Sequence, residues 1–101
     1  MTLDELINCF QQLKNLPWRE TEYKKFDRIE KKLSRRPDLH ACILLDSLVP
    51  GDSDIVECAE HDGFWISIKC EELASVITEN QIRDLVRCAV FCDEGYLRLQ
   101  L

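Results

Sequence analysis

Leu3, Leu6, Ile7, Phe10 and Leu13 recur at intervals of three and four, the spacing that lines one face of an α-helix. Thr2-Leu3-Asp4-Glu5 fits a capping box, with Thr2 as N-cap and Glu5 reaching back, so a first helix is predicted from there to about Asn15. Leu16-Pro17-Trp18 breaks it, and Trp18 reads as a staple between this helix and the next. A narrower stripe of Tyr23, Phe26, Ile29 or Glu30, and Leu33 predicts a second helix over roughly Glu20 to Ser34. Its opposite face is basic, with Lys24, Lys25, Arg28, Lys31, Lys32 and Arg35. Pro37 suits the first turn of a third element, where its missing N–H costs nothing. From Leu39 to Val49 that element is apolar almost all round, which fits a buried helix or a buried strand; its length and its proline start favour the helix. Pro50-Gly51-Asp52-Ser53 places proline and glycine as a type II turn wants them.

Residues 55–69 read as a β-hairpin. A two-residue loop at Asp62-Gly63 would turn Glu57 toward the core, and an unpaired buried carboxylate costs on the order of several kcal/mol. A three-residue loop, His61-Asp62-Gly63 with a left-handed Gly63, instead gathers Val56, Cys58, Ile66 and Ile68 on the core face beside Phe64. Ile55, Glu57, Ala59, Trp65, Ser67 and Lys69 then face away. A short helix follows over Glu71–Ile77, and Thr78-Glu79-Asn80-Gln81 is a second capping box, opening a helix that ends near Cys88. Val90-Phe91-Cys92, an acidic loop Asp93-Glu94-Gly95, and Tyr96–Leu101 repeat the hairpin grammar, with Leu97, Leu99 and Leu101 on the buried side. The pattern predicts one α+β domain over 1–101: N-terminal helices, then two antiparallel hairpins with intervening helices in one small antiparallel sheet.

Charge divides the chain further. Residues 1–37 hold nine bases and six acids, whereas residues 38–101 hold four bases and thirteen acids, within a net charge of −6. A basic helical hairpin (1–36) therefore precedes an acidic α/ββ/α/ββ part (37–101). Such an acidic exterior repels nucleic acid and anionic lipid and speeds encounter with basic partners. With 46% apolar and 32% charged residues, and no apolar run near the ~18 residues of a membrane span, the composition is that of a globular domain. The N-terminus lacks the basic and apolar regions of a secretory signal, so Cys9, Cys42, Cys58, Cys70, Cys88 and Cys92 are expected as reduced, mostly core-filling thiols in a cytoplasmic protein.

No motif points to catalysis. His40 and His61 are the neutral-pH bases, and neither lies in a nucleophile motif; the three glycines form no phosphate loop. Cys58 with His61, and Cys88 with Cys92, make a conceivable zinc set, but paired C-x₂-C knuckles are absent. No enzyme activity, cofactor or metal is expected. Three helices followed by a hairpin is also the order of a winged-helix DNA-binding regulator, yet the recognition helix would be the apolar 39–49 segment and the wing would be acidic. The expected function is instead a non-enzymatic protein-binding module, such as a small acidic inhibitor of a basic protein surface: a bacterial immunity protein or a phage-encoded antagonist. A winged-helix-like regulator and a zinc-stabilised module are the alternatives. Trp65 and Tyr96 are the expected anchors, with Arg98 beside them, and an acidic edge of Glu57, Glu60, Asp62, Asp93 and Glu94 is expected to steer the partner in. The partner is a protein with a basic surface; no membrane is expected, nucleic acid is disfavoured, and self-association is left open.

Overall fold

The computed structural model describes residues 1–17 and 19–101. The staple assigned to Trp18 therefore lies outside the described residues. Helix α1 (Leu3–Lys14) begins at the predicted capping box, with the Thr2 hydroxyl accepting from the Glu5 amide and the Glu5 carboxylate from the Thr2 amide. Its stripe buries Leu6, Phe10 and Leu13. Helix α2 (Pro37–Leu48) decides the 39–49 segment in favour of helix, although Leu39 and Ile43 stay close to half exposed. Helix α3 (Cys70–Ala74) is shorter than expected. Helix α4 (Glu79–Arg87) opens at the second capping box and buries Ile82, Leu85 and Val86.

The strands β1 (Val56–Glu60), β2 (Gly63–Ile66), β3 (Val90–Asp93) and β4 (Tyr96–Gln100) form one antiparallel sheet in the order β1-β2-β4-β3. Helices α1 and α4 pack against each other and against β3, with α3 on α1 and α2 on α4. Their apolar faces meet Ile66, Val90, Leu97 and Leu99 in a single core cluster. The fold class is α+β, as the pattern predicts.

Four local expectations fail. The second helix does not form: residues 20–35 run irregularly apart from a 3-10 turn at Phe26–Arg28. Its apolar residues go to different neighbours, with Tyr23 against the Phe91 ring, Phe26 against His40 and Ile29 in the core. One straight helix could not serve all three, so tertiary contact overrides periodicity. The Thr21 hydroxyl also accepts from the Tyr23 amide, a local bond that competes with helix, and Lys24 sits at φ 59°.

The first hairpin takes neither register weighed. Glu60 pairs with Gly63 across a two-residue His61-Asp62 loop, and the pairing shifts at a bulge between Val56 and Cys58. Gly63 is not left-handed; it is required because a Cβ there would lie 2.3 Å from the Leu99 carbonyl oxygen on β4. Phe64 and Ile66 face the core and Trp65 faces away, as predicted, but Cys58 lies opposite Trp65 and all of β1 is exposed. Gly51 likewise lacks the positive φ of a type II turn. Leu101 is exposed beyond β4, not buried with Leu97 and Leu99. The second hairpin closes tightly, with Asp93 opposite Tyr96 and positive φ at both Glu94 (51°) and Gly95 (85°), the φ signs of a type I′ turn.

Candidate functional site

Alternation along β4 puts Leu97 and Leu99 under the helices and Tyr96, Arg98 and Gln100 on the other side of the sheet. Cross-strand partners share a face, so Trp65 on β2 and Phe91 on β3 flank Arg98 on that outer side. The β3 flank is covered. Tyr23 lies 5.2 Å from the Phe91 ring, and the Lys14 ammonium sits 4.7 Å from that ring's centroid. The β1-β2-β4 part has no such cover among the described residues, and Trp65, Tyr96 and Arg98 gather there.

Trp65 is held on three sides. Its indole N–H donates to Glu60 Oε1 at 2.8 Å, the Arg98 guanidinium lies 5.6 Å from its ring, and Tyr96 meets it edge-to-face at 6.4 Å and 90°. Arg98 in turn donates to Glu60 Oε2 (3.3 Å) and Asp62 Oδ1 (2.8 Å). Glu60 thus bridges the tryptophan and the arginine with its two oxygens. The arginine side chain is largely covered (17% exposed), whereas Tyr96 is 62% exposed. A stacked, charge-bridged Trp–Arg pair beside an open tyrosine is a rigid amphipathic surface with little side-chain freedom left to lose on binding.

The five acids do not form one edge, as the sequence reading expected. Antiparallel pairing sets the His61-Asp62 loop at one end of the sheet and the Glu94-Gly95 turn at the other. Glu60 and Asp62 are engaged with Arg98 at the first end. Glu57 and Glu94 border a groove of about 540 Å³ with Tyr96 at the second, where Asp93 is the cross-strand neighbour of Tyr96. A larger groove of about 790 Å³ separates α1 from the β3–β4 hairpin and reaches Arg98 and Gln100.

The residues weighed for zinc are dispersed. Cys58 is exposed on β1, His61 is exposed in the loop, Cys88 is buried at the end of α4, and Cys92 faces Cys70. Among the described residues no three His, Cys, Asp or Glu side chains converge. All six cysteines are free thiols, and burial pushes the Cys88 thiol up to about 12. His40 is buried, and burial lowers its pKa; its Nδ1 accepts from the Leu33 amide at 3.0 Å and its Nε2 has no partner among the described residues.

The basic residues 24–32 do not line one helix, and three of them have partners within residues 20–35. Arg28 bonds Glu22, Lys24 lies over Tyr23, and Lys32 lies over Phe26 while donating to the Ile29 carbonyl. Two features escaped the sequence: the clamp of Glu60 on Trp65, which needs the correct hairpin register, and the contact of Cys70 with Cys92, which are 22 residues apart. No helix is long and apolar enough to cross a membrane among the described residues. Compared with known proteins, the chain matches no family model, no curated protein and no solved structure.

Proposed function

We propose that this chain is a non-enzymatic protein-binding module, an acidic inhibitor of a basic protein surface in the manner of an immunity protein or a phage-encoded antagonist. The observation that carries the reading is the Glu60-bridged Trp65–Arg98 pair on the side of the sheet away from the helices, with Tyr96 beside it. Tryptophan, tyrosine and arginine dominate binding hot spots, and a ring already fixed by Glu60 loses little freedom on docking. The net charge of −6 favours a basic partner, and Glu57, Asp93 and Glu94 around Tyr96 supply local negative potential that no ion pair among the described residues neutralises.

Capture from a lysate of the source cells tests this. Immobilised wild-type protein should retain a basic protein that Trp65→Ala releases, and the purified partner should bind the variant roughly 30-fold more weakly, about 2 kcal/mol. Equal retention by both forms would remove the proposed anchor.

A further inference from the structure

We infer that Cys70 and Cys92 form a reactive dithiol site, one that a small-molecule disulfide of the glutathione class converts to an internal disulfide. Cys70 is the first residue of α3 and Cys92 lies on the helix-covered side of β3; their Sγ atoms meet at 3.5 Å. A disulfide needs about 2.05 Å, so small rotations of two side chains close the remaining gap of about 1.5 Å. No other two thiols among the described residues make such a contact.

Access and chemistry assign the roles. Cys92 is half-buried and borders the groove between α1 and the β3–β4 hairpin. Cys70 is 3% exposed and borders the neighbouring groove; Leu3, Glu94 and Gly95 line both. The pair therefore sits in the wall between two solvent-open grooves. The contact with Cys70 and the Gly95 amide lower the Cys92 pKa, while the contact with Cys92 and deeper burial raise that of Cys70. Cys92 is accordingly the attacking thiolate.

In the first step the Cys92 thiolate attacks one sulfur of the small disulfide. That S–S bond breaks, a mixed disulfide forms on Cys92, and the departing thiolate takes up a proton. Cys70 then loses its proton and attacks the Cys92 sulfur, expelling the second small thiol. The protein dithiol has given up two electrons and two protons, and the small disulfide has become two thiols.

The test exposes the reduced, folded, full chain to oxidised glutathione, traps remaining thiols in acid, and maps peptides by mass spectrometry. The expected product joins the Cys70 and Cys92 peptides at two hydrogens less than their summed reduced masses, and the linked chain melts roughly 5 °C or more higher because a loop is closed. In Cys70→Ser a persistent glutathione adduct is expected on Cys92, and in Cys58→Ser the internal link should form unchanged. The inference is overturned if wild-type Cys92 keeps a stable adduct with no link to Cys70. It is equally overturned if the link forms only after the chain is unfolded in urea.

Discussion

Glu60 decides how Trp65 behaves. With one carboxylate oxygen on the indole N–H and the other on Arg98, it ties the ring to its cross-strand neighbour. Replacing Glu60 by Ala should therefore weaken partner binding by a few-fold without altering stability beyond about 0.5 kcal/mol, because exposed ion pairs contribute little to folding. Gly63 is a case of opposite character, where stability and not binding is at stake. An alanine Cβ would collide with the Leu99 carbonyl, and backbone cannot move aside as a flexible side chain can. Gly63→Ala should cost about 2 kcal/mol, read as a lowered urea midpoint. His40 sets a pH dependence. Burial lowers its folded pKa below the unfolded value, so the unfolded chain binds the extra proton more readily. Its contribution is complete above roughly pH 6.5 and is lost as the pH falls from there toward the folded pKa. The urea midpoint should fall on acidification from neutrality through this range, and His40→Gln should flatten that part of the profile.

At the level of elements, the two capped helices were legible because a capping box and an apolar stripe are local signals that agree. Thr78→Ala should accordingly lose about 1 kcal/mol, measured by thermal or urea unfolding. The segment 20–35 was not legible, because its order comes from distant groups. Glu22, nearly buried, receives Arg28 at 3.1 Å and Arg87 from α4, while Arg87 also bonds Asp84 at 3.1 Å. A stripe of Tyr23, Phe26 and Ile29 has helical spacing, yet the sequence cannot reveal that a carboxylate 65 positions before Arg87 will pin the chain in an irregular path. Arg87→Ala leaves Glu22 with one partner and should destabilise the fold by about 2 kcal/mol, with hydrogen exchange rising first in residues 20–35. The first hairpin failed for a related reason. Turn chemistry favoured a left-handed Gly63, while close approach to Leu99 required a glycine in extended conformation at the same position.

Across the whole molecule, one side of a four-stranded sheet is covered by helices, and the other is open except where Tyr23 and Lys14 cover Phe91. The alternation of β4 made the open side readable in advance: Tyr96 and Arg98 had to share a face, and Trp65 was placed there with them. The split of the acids between the two ends was not readable, since it depends on strand order. The edge strand β1 is exposed throughout, but its bulge and its carboxylates Glu57 and Glu60 oppose edge-to-edge pairing, which leaves the face as the better docking surface. The competing surface is the outward side of α2, where Leu39 and Ile43 are exposed one turn apart. The decisive measurement is a titration of the captured partner against three forms of the protein: wild type, Trp65→Ala and Leu39→Ser. Docking through the sheet predicts roughly 30-fold weaker binding for Trp65→Ala and wild-type affinity for Leu39→Ser. Wild-type affinity for Trp65→Ala together with loss in Leu39→Ser would contradict it.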